Sequence, residues 1–159
     1  MAILLMFPSA DGCKKYGILF RRMNPVFGFR ENAHTADWEL EAWAPDLASL
    51  LEQSARGMYT LSGMRLQAGL PQTRSIILHG EDAETLLVRF LTELLWLEQE
   101  EGLGFDDFSI VVDNHFNLQA ELSGSAIANL DREIKAVTYH NLAVQTTQQG
   151  LSVAIVFDV

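Results

Sequence analysis

Two groups of side chains carry residue types that could do chemistry. The first is Glu133-Ile134-Lys135-Ala136-Val137-Thr138-Tyr139-His140-Asn141, which sets an amine, a hydroxyl, a phenol and an imidazole between Lys135 and His140. A half-buried strand needs only apolar alternation, so this density of polar groups points beyond packing. Read as a strand, the stretch places Ile134, Ala136, Thr138 and His140 on one face. Lys135, Val137, Tyr139 and Asn141 take the other. The second group is made of carboxylates. Asp37 closes His34-Thr35-Ala36-Asp37, and Asp158 stands beside the terminal carboxylate of Val159. Carboxylates anchored together at the end of an apolar strand repel one another unless a cation or a base neutralises them. Oxygen-only ligands select hard ions such as calcium or magnesium over zinc. Nothing in the spacing brings Asp37 to Asp158.

The elements that must position these groups follow from hydrophobic period and punctuation. Asn24–Arg30 reads as a short edge strand, with Pro25 tolerated at its start. Alternation from His34 to Ala44 predicts a long strand. His34, Ala36, Trp38, Leu40 and Ala42 then face the core, and Thr35, Asp37, Glu39 and Glu41 face away. Asp46 is the expected N-cap of a helix whose stripe is Leu47, Leu50, Leu51, Ser54, Ala55, Met58 and Tyr59, stopped by Gly63. Met64–Leu70 and Thr73–Leu78 read as two strands joined around Gly69–Gln72. Gly80-Glu81-Asp82 opens a longer helix with Ala83, Leu86, Leu87, Phe90, Leu91, Leu94 and Leu95 buried and Gly102 past its end. Phe108–Asp113 and Phe116–Leu122 alternate as strands around Asn114-His115. Leu142–Thr147 and Leu151–Val159 flank a Gln148-Gln149-Gly150 turn. Two helices among about eight strands, without regular βαβ alternation, predict a single α+β domain with a mainly antiparallel sheet.

Composition bounds the function. The chain has 159 residues and a formal charge of −10, unevenly spread. Residues 1–23 hold Lys14, Lys15, Arg21 and Arg22 against Asp11, so the remainder carries a net charge of −13. Such a body repels phosphate backbones, which argues against autonomous nucleic-acid binding and suits a cation or a basic protein partner. The single cysteine, Cys13, cannot form an internal disulfide or a cysteine zinc site, which fits a reducing cytosol. No apolar run approaches the roughly 20 residues of a membrane helix, so no membrane partner is expected. Residues 1–23 match no periodic template and are expected to stand outside the domain, as an added tail or an early start, with residues 24–159 forming the domain proper.

The common catalytic signatures G-x-S-x-G, G-x-G-x-x-G, H-E-x-x-H, C-x-x-C and the phosphate-loop lysine are absent from the sequence. Asp106-Asp107 reads as turn chemistry ahead of a strand, and Glu98, Glu100 and Glu101 as a solvated helix end. His79 and His115 sit beside turns with no evident partners and read as structural.

His34-Thr35-Ala36-Asp37, Glu133–Asn141 and the ending Val156-Phe157-Asp158-Val159 together resemble the archease family. Leu91-Thr92-Glu93-Leu94-Leu95-Trp96-Leu97-Glu98 through Glu101-Gly102-Leu103 resembles the long second helix of that family. The resemblance covers roughly residues 27–159 in the right order. It implies a small α+β domain with a curved sheet, similar in shape to part of the Hsp33 chaperone. It implies a cytoplasmic protein, not itself an enzyme, that activates the RtcB-type RNA-splicing ligase. That ligase joins 3′-phosphate or 2′,3′-cyclic-phosphate RNA ends to 5′-hydroxyl ends with GTP and manganese. The activator would promote guanylylation and multiple turnover in tRNA splicing and RNA repair. The resemblance also implies a divalent-cation site at Asp37, Asp158 and Val159, with calcium expected and magnesium or manganese as alternatives. His34, Lys135, Thr138 and His140 fall on motif positions that would support the site or touch the partner. A general chaperone or adaptor is the alternative, and a hydrolase using Asp37 and Asp158 with a metal a more distant one.

Overall fold

The computed structural model describes residues 26–33 and 38–159. Strand β1 (Gly28–Ala33) and strand β2 (Trp38–Ala44) pair antiparallel from Gly28↔Trp43 to Ala33↔Trp38. The strand expected from Asn24 thus begins later, and the one expected from His34 is described from Trp38. Its phase is as expected: Leu40, Ala42 and Ala44 are buried, while Glu39, Glu41 and Trp43 take the opposite face.

Helix α1 (Leu47–Ser62) starts where the carboxylate of Asp46 accepts the Ser49 amide at 2.8 Å. It ends at Gly63, whose φ of 65° is the left-handed cap conformation that glycine adopts most cheaply. Strands β3 (Arg65–Leu66) and β4 (Gln72–His79) follow. Helix α2 (Ala83–Glu101) is capped in the same way, by Asp82 on the Thr85 amide at 2.7 Å and by Gly102 at φ 65°. Strand β5 (Leu103–Val112), strand β6 (Asn117–Asn129), the two-residue β7 (Ala136–Val137), β8 (Gln145–Thr147) and β9 (Gly150–Asp158) complete the order.

Two antiparallel sheets result. In the first, β9 is central, with β2 on one side and both β7 and β8 on the other; β1 lies beyond β2. In the second, β6 is central. β5 runs along one edge, and β3 and β4 share the other, pairing with different parts of β6. The two strands expected to join around Gly69–Gln72 therefore form no hairpin with each other. A strand as long as β6 offers enough edge for both, and each is satisfied there. Asp106 and Asp107 also depart from expectation. They lie inside β5, at a bulge between Phe105 and Asp107, not in a turn before it. A Cβ at Gly124, opposite this bulge, would collide with the Gly104 carbonyl, so only glycine lets the strands close there.

Both helices touch both sheets. That explains why α2 buries more than the expected stripe. Val88, Leu97 and Glu98 are buried with Leu86, Leu87, Phe90, Leu91, Leu94 and Leu95, whereas Ala83 is only half-buried. A helix apolar over most of its circumference belongs inside a fold, between layers. The core as described draws on residues from Phe29 to Phe157.

Residues 1–23 lie outside the described residues, and we propose that the fold does not need them. A chain beginning at Met23 is expected to melt with the full-length protein. A loss above about 2 kcal/mol, the size of one genuinely buried apolar side chain, would overturn this.

Candidate functional site

Strand β9 ends in the residues expected to do chemistry. Val153, Ile155 and Phe157 bury their side chains and anchor the strand between β2 and β7, so its end does not fray in the manner of a free terminus. Asp158, next in the chain, is exposed, as is Val159. On one side of this end Trp38 pairs with Phe157, and on the other Ala136 pairs with Asp158. His34 and Asp37 lie outside the described residues. Trp38, which directly follows Asp37 in sequence, is nevertheless paired with the residue that directly precedes Asp158.

The polar stretch clips onto β9 rather than running as a strand. Only Ala136 and Val137 have strand geometry, and the buried residues are Ile134 and Val137, three apart. The expected alternation of faces is therefore wrong. Its cause is visible in the hydrogen bonds. The Lys135 amide donates to the Asp158 carbonyl at 2.8 Å. The Thr138 amide and the Thr138 hydroxyl both donate to the Val156 carbonyl, each at 3.0 Å. Thr138 Oγ1 in turn accepts the His140 amide at 3.3 Å, and Asn141 turns the chain with φ 51°. Val144 then donates to a carboxylate oxygen of Glu84 at the start of α2, at 2.8 Å. Side-chain bonds to nearby backbone compete with a ladder in this way and end the strand early, so Leu142–Thr147 is a strand only at Gln145–Thr147.

Basic and polar side chains line the segment around β7, and one of them reaches the carboxylate end. Lys135 Nζ lies 3.2 Å from the main-chain oxygen of Val159. The Arg132 guanidinium carbon stands 4.5 Å from the centre of the Trp38 ring. His140 is exposed, with Nε2 at 3.1 Å from Asn141 Nδ2, and Tyr139 is exposed beside it. Lys135 thus lies against the Asp158–Val159 end, Thr138 bonds one step back along β9 at Val156, and His140 follows where the chain runs on away from that end. Thr138 acts as a backbone clip, while Lys135 donates to the Val159 main-chain oxygen. Among the described residues no group of three or more histidine, cysteine or acidic side chains converges. The oxygens of Asp158 and Val159 are of the type a hard cation takes, and they need further donors to make a centre.

One residue of interest is not singled out by the sequence and another is placed wrongly by it. Arg132 is the first; its signal was a basic residue just ahead of the polar stretch in an acidic body. Glu98 is the second. It is 6% exposed, so the expectation of a solvated helix end fails there, though Glu100 and Glu101 are exposed. Its signal was present in the spacing, since Leu87, Leu91 and Leu94 continue to position 98. Burial, and after it the charge of Glu133, pushes the Glu98 carboxyl up to about 7. One Glu98 oxygen is buried without a hydrogen-bond partner among the described residues. Burial and the neighbouring Glu98 raise Tyr59 as well, so its phenol stays protonated. His79, expected to lack a partner, has Nδ1 3.0 Å from Asn117 Oδ1. A recess of about 550 Å³ lined by Arg30, Glu41, Trp43 and Leu151 lies at the opposite end of β9 from these groups.

The sequence of the archease protein family matches residues 29–159. This chain belongs to the archease family. The protein archease of Thermococcus kodakarensis is 30% identical over 125 residues, 74% of this chain and 87% of that one. That of Pyrococcus abyssi is 28% identical over 124 residues, with the same coverage of 74% and 87%. Among solved structures, Methanobacterium thermoautotrophicum protein 1598 superposes with a TM-score of 0.63 at 23% identity, over 83% of this chain and 99% of that one. An archease of Thermotoga maritima, described as a possible chaperone, gives 0.57 at 20% identity, over 82% and 94%. The single α+β domain with antiparallel sheets is the archease fold. No helix among the described residues is long and apolar enough to cross a membrane.

Proposed function

We propose that this archease-family protein activates an RtcB-type RNA ligase, and that it does so through a divalent cation held at the end of the first sheet. One observation carries the reading: Trp38 pairs with Phe157, so the chain segments leading to Asp37 and to Asp158 start from partnered residues. Asp37, Asp158 and Val159 would hold the ion, calcium first and magnesium or manganese as alternatives. All three offer oxygen, the donor that hard cations take. The ion would supply positive charge beside the ligase's reacting phosphate. Lys135 keeps the Val159 oxygen from repelling Asp158 until a cation arrives. Thr138, through its two bonds to Val156, holds Lys135 and His140 at the rim, where they and His34 would meet the partner. The chain contributes contacts and charge in this reading, and the ligase performs the catalysis, in the cytoplasm, during tRNA splicing and RNA repair.

The test is ligation of 3′-phosphate RNA by the cognate ligase under limiting enzyme, with and without this protein. Multiple turnover only in its presence is expected; equal turnover without it would overturn the reading. Association should also weaken as salt rises. A ligase that binds GTP and RNA presents basic ground, and a net charge of −13 over residues 24–159 is drawn to it. The Debye length falls to about 8 Å at physiological ionic strength, so exposed pairs are progressively screened. An affinity unchanged between low and high salt would point to an apolar interface instead.

A chaperone or adaptor role is the second reading. Ile77 and Val111, 79% and 66% exposed, flank Gln119 on the outer face of the second sheet and offer apolar ground to an unfolded client. Suppression of aggregation of a denatured client protein, lost on Ile77→Ser with Val111→Ser, would favour it.

A further inference from the structure

Arg132 is the arginine whose guanidinium makes no hydrogen bond among the described residues. Arg30 binds Glu41, Arg56 binds Glu52, Arg65 binds Asp131, Arg74 binds Glu101, and Arg89 donates to the His79 carbonyl. Arg132 instead lies over the Trp38 ring, 4.5 Å from its centre. Its base is fixed. The Asp131 and Arg132 amides both donate to the Ser62 carbonyl at the end of α1, at 3.0 and 3.1 Å. Asp131 is held in turn by Arg65 at 2.7 Å and by Asn129 at 2.9 Å. Stacking on a ring satisfies the face of a guanidinium and leaves its N–H edge open, already oriented. That edge is a planar fork matched to two oxygens of one oxyanion. It stands over the residue that pairs with Phe157, at the sheet end that carries Asp158, Val159 and Lys135. The contact with Trp38 holds the arginine, and among the described residues no carboxylate closes its N–H edge, which leaves a place where a phosphate can approach.

We propose that Arg132 receives a phosphate group of the ligase's substrates, as a two-pronged contact held in place by Trp38. This rests on the activator reading and names the chemistry that reading needs at the sheet end. The source is the bound nucleotide or the RNA end, and two arms separate them. One follows ligase guanylylation without RNA at varied GTP. The other follows sealing of 3′-phosphate RNA by ligase already guanylylated. Arg132→Ala and Arg132→Lys are each compared with the unchanged protein, after thermal melting confirms the fold. The expected result is an increase of about tenfold or more in the GTP or RNA concentration for half-maximal rate, as for loss of a charged hydrogen bond. Lysine should fail like alanine, because it keeps the charge but not the fork. A shift in the first arm assigns the nucleotide, and one in the second the RNA end. Lysine matching arginine in both arms would overturn the proposal. So would a loss fully explained by weaker binding to nucleotide-free ligase, which would mark a carboxylate of the partner instead. A direct measurement is independent of ligase activation. Pyrophosphate titrated into the protein alone should shift the Arg132 Nε–H resonance in the nuclear magnetic resonance spectrum. No shift up to about 10 mM, beyond the millimolar range of single weak contacts, overturns the proposal even if the unchanged protein activates no ligase.

Discussion

Asp158→Ala is expected to melt with the unchanged protein and to reduce ligase stimulation to the rate of the ligase alone. The strand does not need the carboxylate. Asp158 is exposed, and what holds it in the sheet is its backbone, paired with Ala136 and accepting from the Lys135 amide at 2.8 Å. Alanine keeps both. Exposed substitutions away from caps and networks usually change stability by within about 0.5 kcal/mol, and removing one negative charge from a strongly acidic body relieves repulsion. The proposed cation, by contrast, loses a side-chain ligand from a small set. Asp37→Ala should behave alike, since it removes the other side-chain carboxylate. Calcium binding followed by calorimetry gives a readout separate from ligase activity, and both variants should abolish it. If both stimulate multiple turnover as well as the unchanged protein, the cation has no part in activation.

The second large effect concerns Glu98 and is one of stability. In the folded protein its carboxyl titrates near 7, against an ordinary value of 4.5. The sign follows from proton uptake. Below about pH 4.5 the group is protonated in both states and burial costs little. Between about 4.5 and 7 the folded protein keeps a proton that the unfolded chain has released, so stability falls as pH rises. Above about 7 the full penalty is present, on the order of 3 kcal/mol. Glu98→Gln keeps the shape and removes the charge. At pH 8 it should therefore raise the melting temperature by about 6–12 °C for a chain of this size, while at pH 4.5 the two proteins should melt together. The difference between the two melting curves isolates Glu98 from every other titrating group. A difference that does not change between pH 4.5 and 8 would mean that the carboxyl is not buried as a titrating acid.

The local grammar of the chain determined both helices. Asp46 and Asp82 cap the starts, Gly63 and Gly102 close the ends, and the intervening leucines recur every three or four residues. Each of these signals acts within a few residues, so it is complete in the sequence. The same holds for the facing of β2 and β9, because alternation is a property of one strand. The clustering of Lys135, Thr138 and His140, and the oxygen chemistry of Asp37, Asp158 and Val159, were likewise legible as residue types. Where those groups point was not. Ile134 and Val137 turn inward three residues apart because Thr138 spends its amide and hydroxyl on the Val156 carbonyl, a partner supplied by another strand. Glu98 is buried because α2 is covered from both sheets, and a helical period records spacing but not how many neighbours will arrive. The pairing of Trp38 with Phe157, which sets the start of one carboxylate segment against the end of the other, is a long-range register. Registers of that kind come from the packing of whole faces against each other, and no short stretch of sequence contains them.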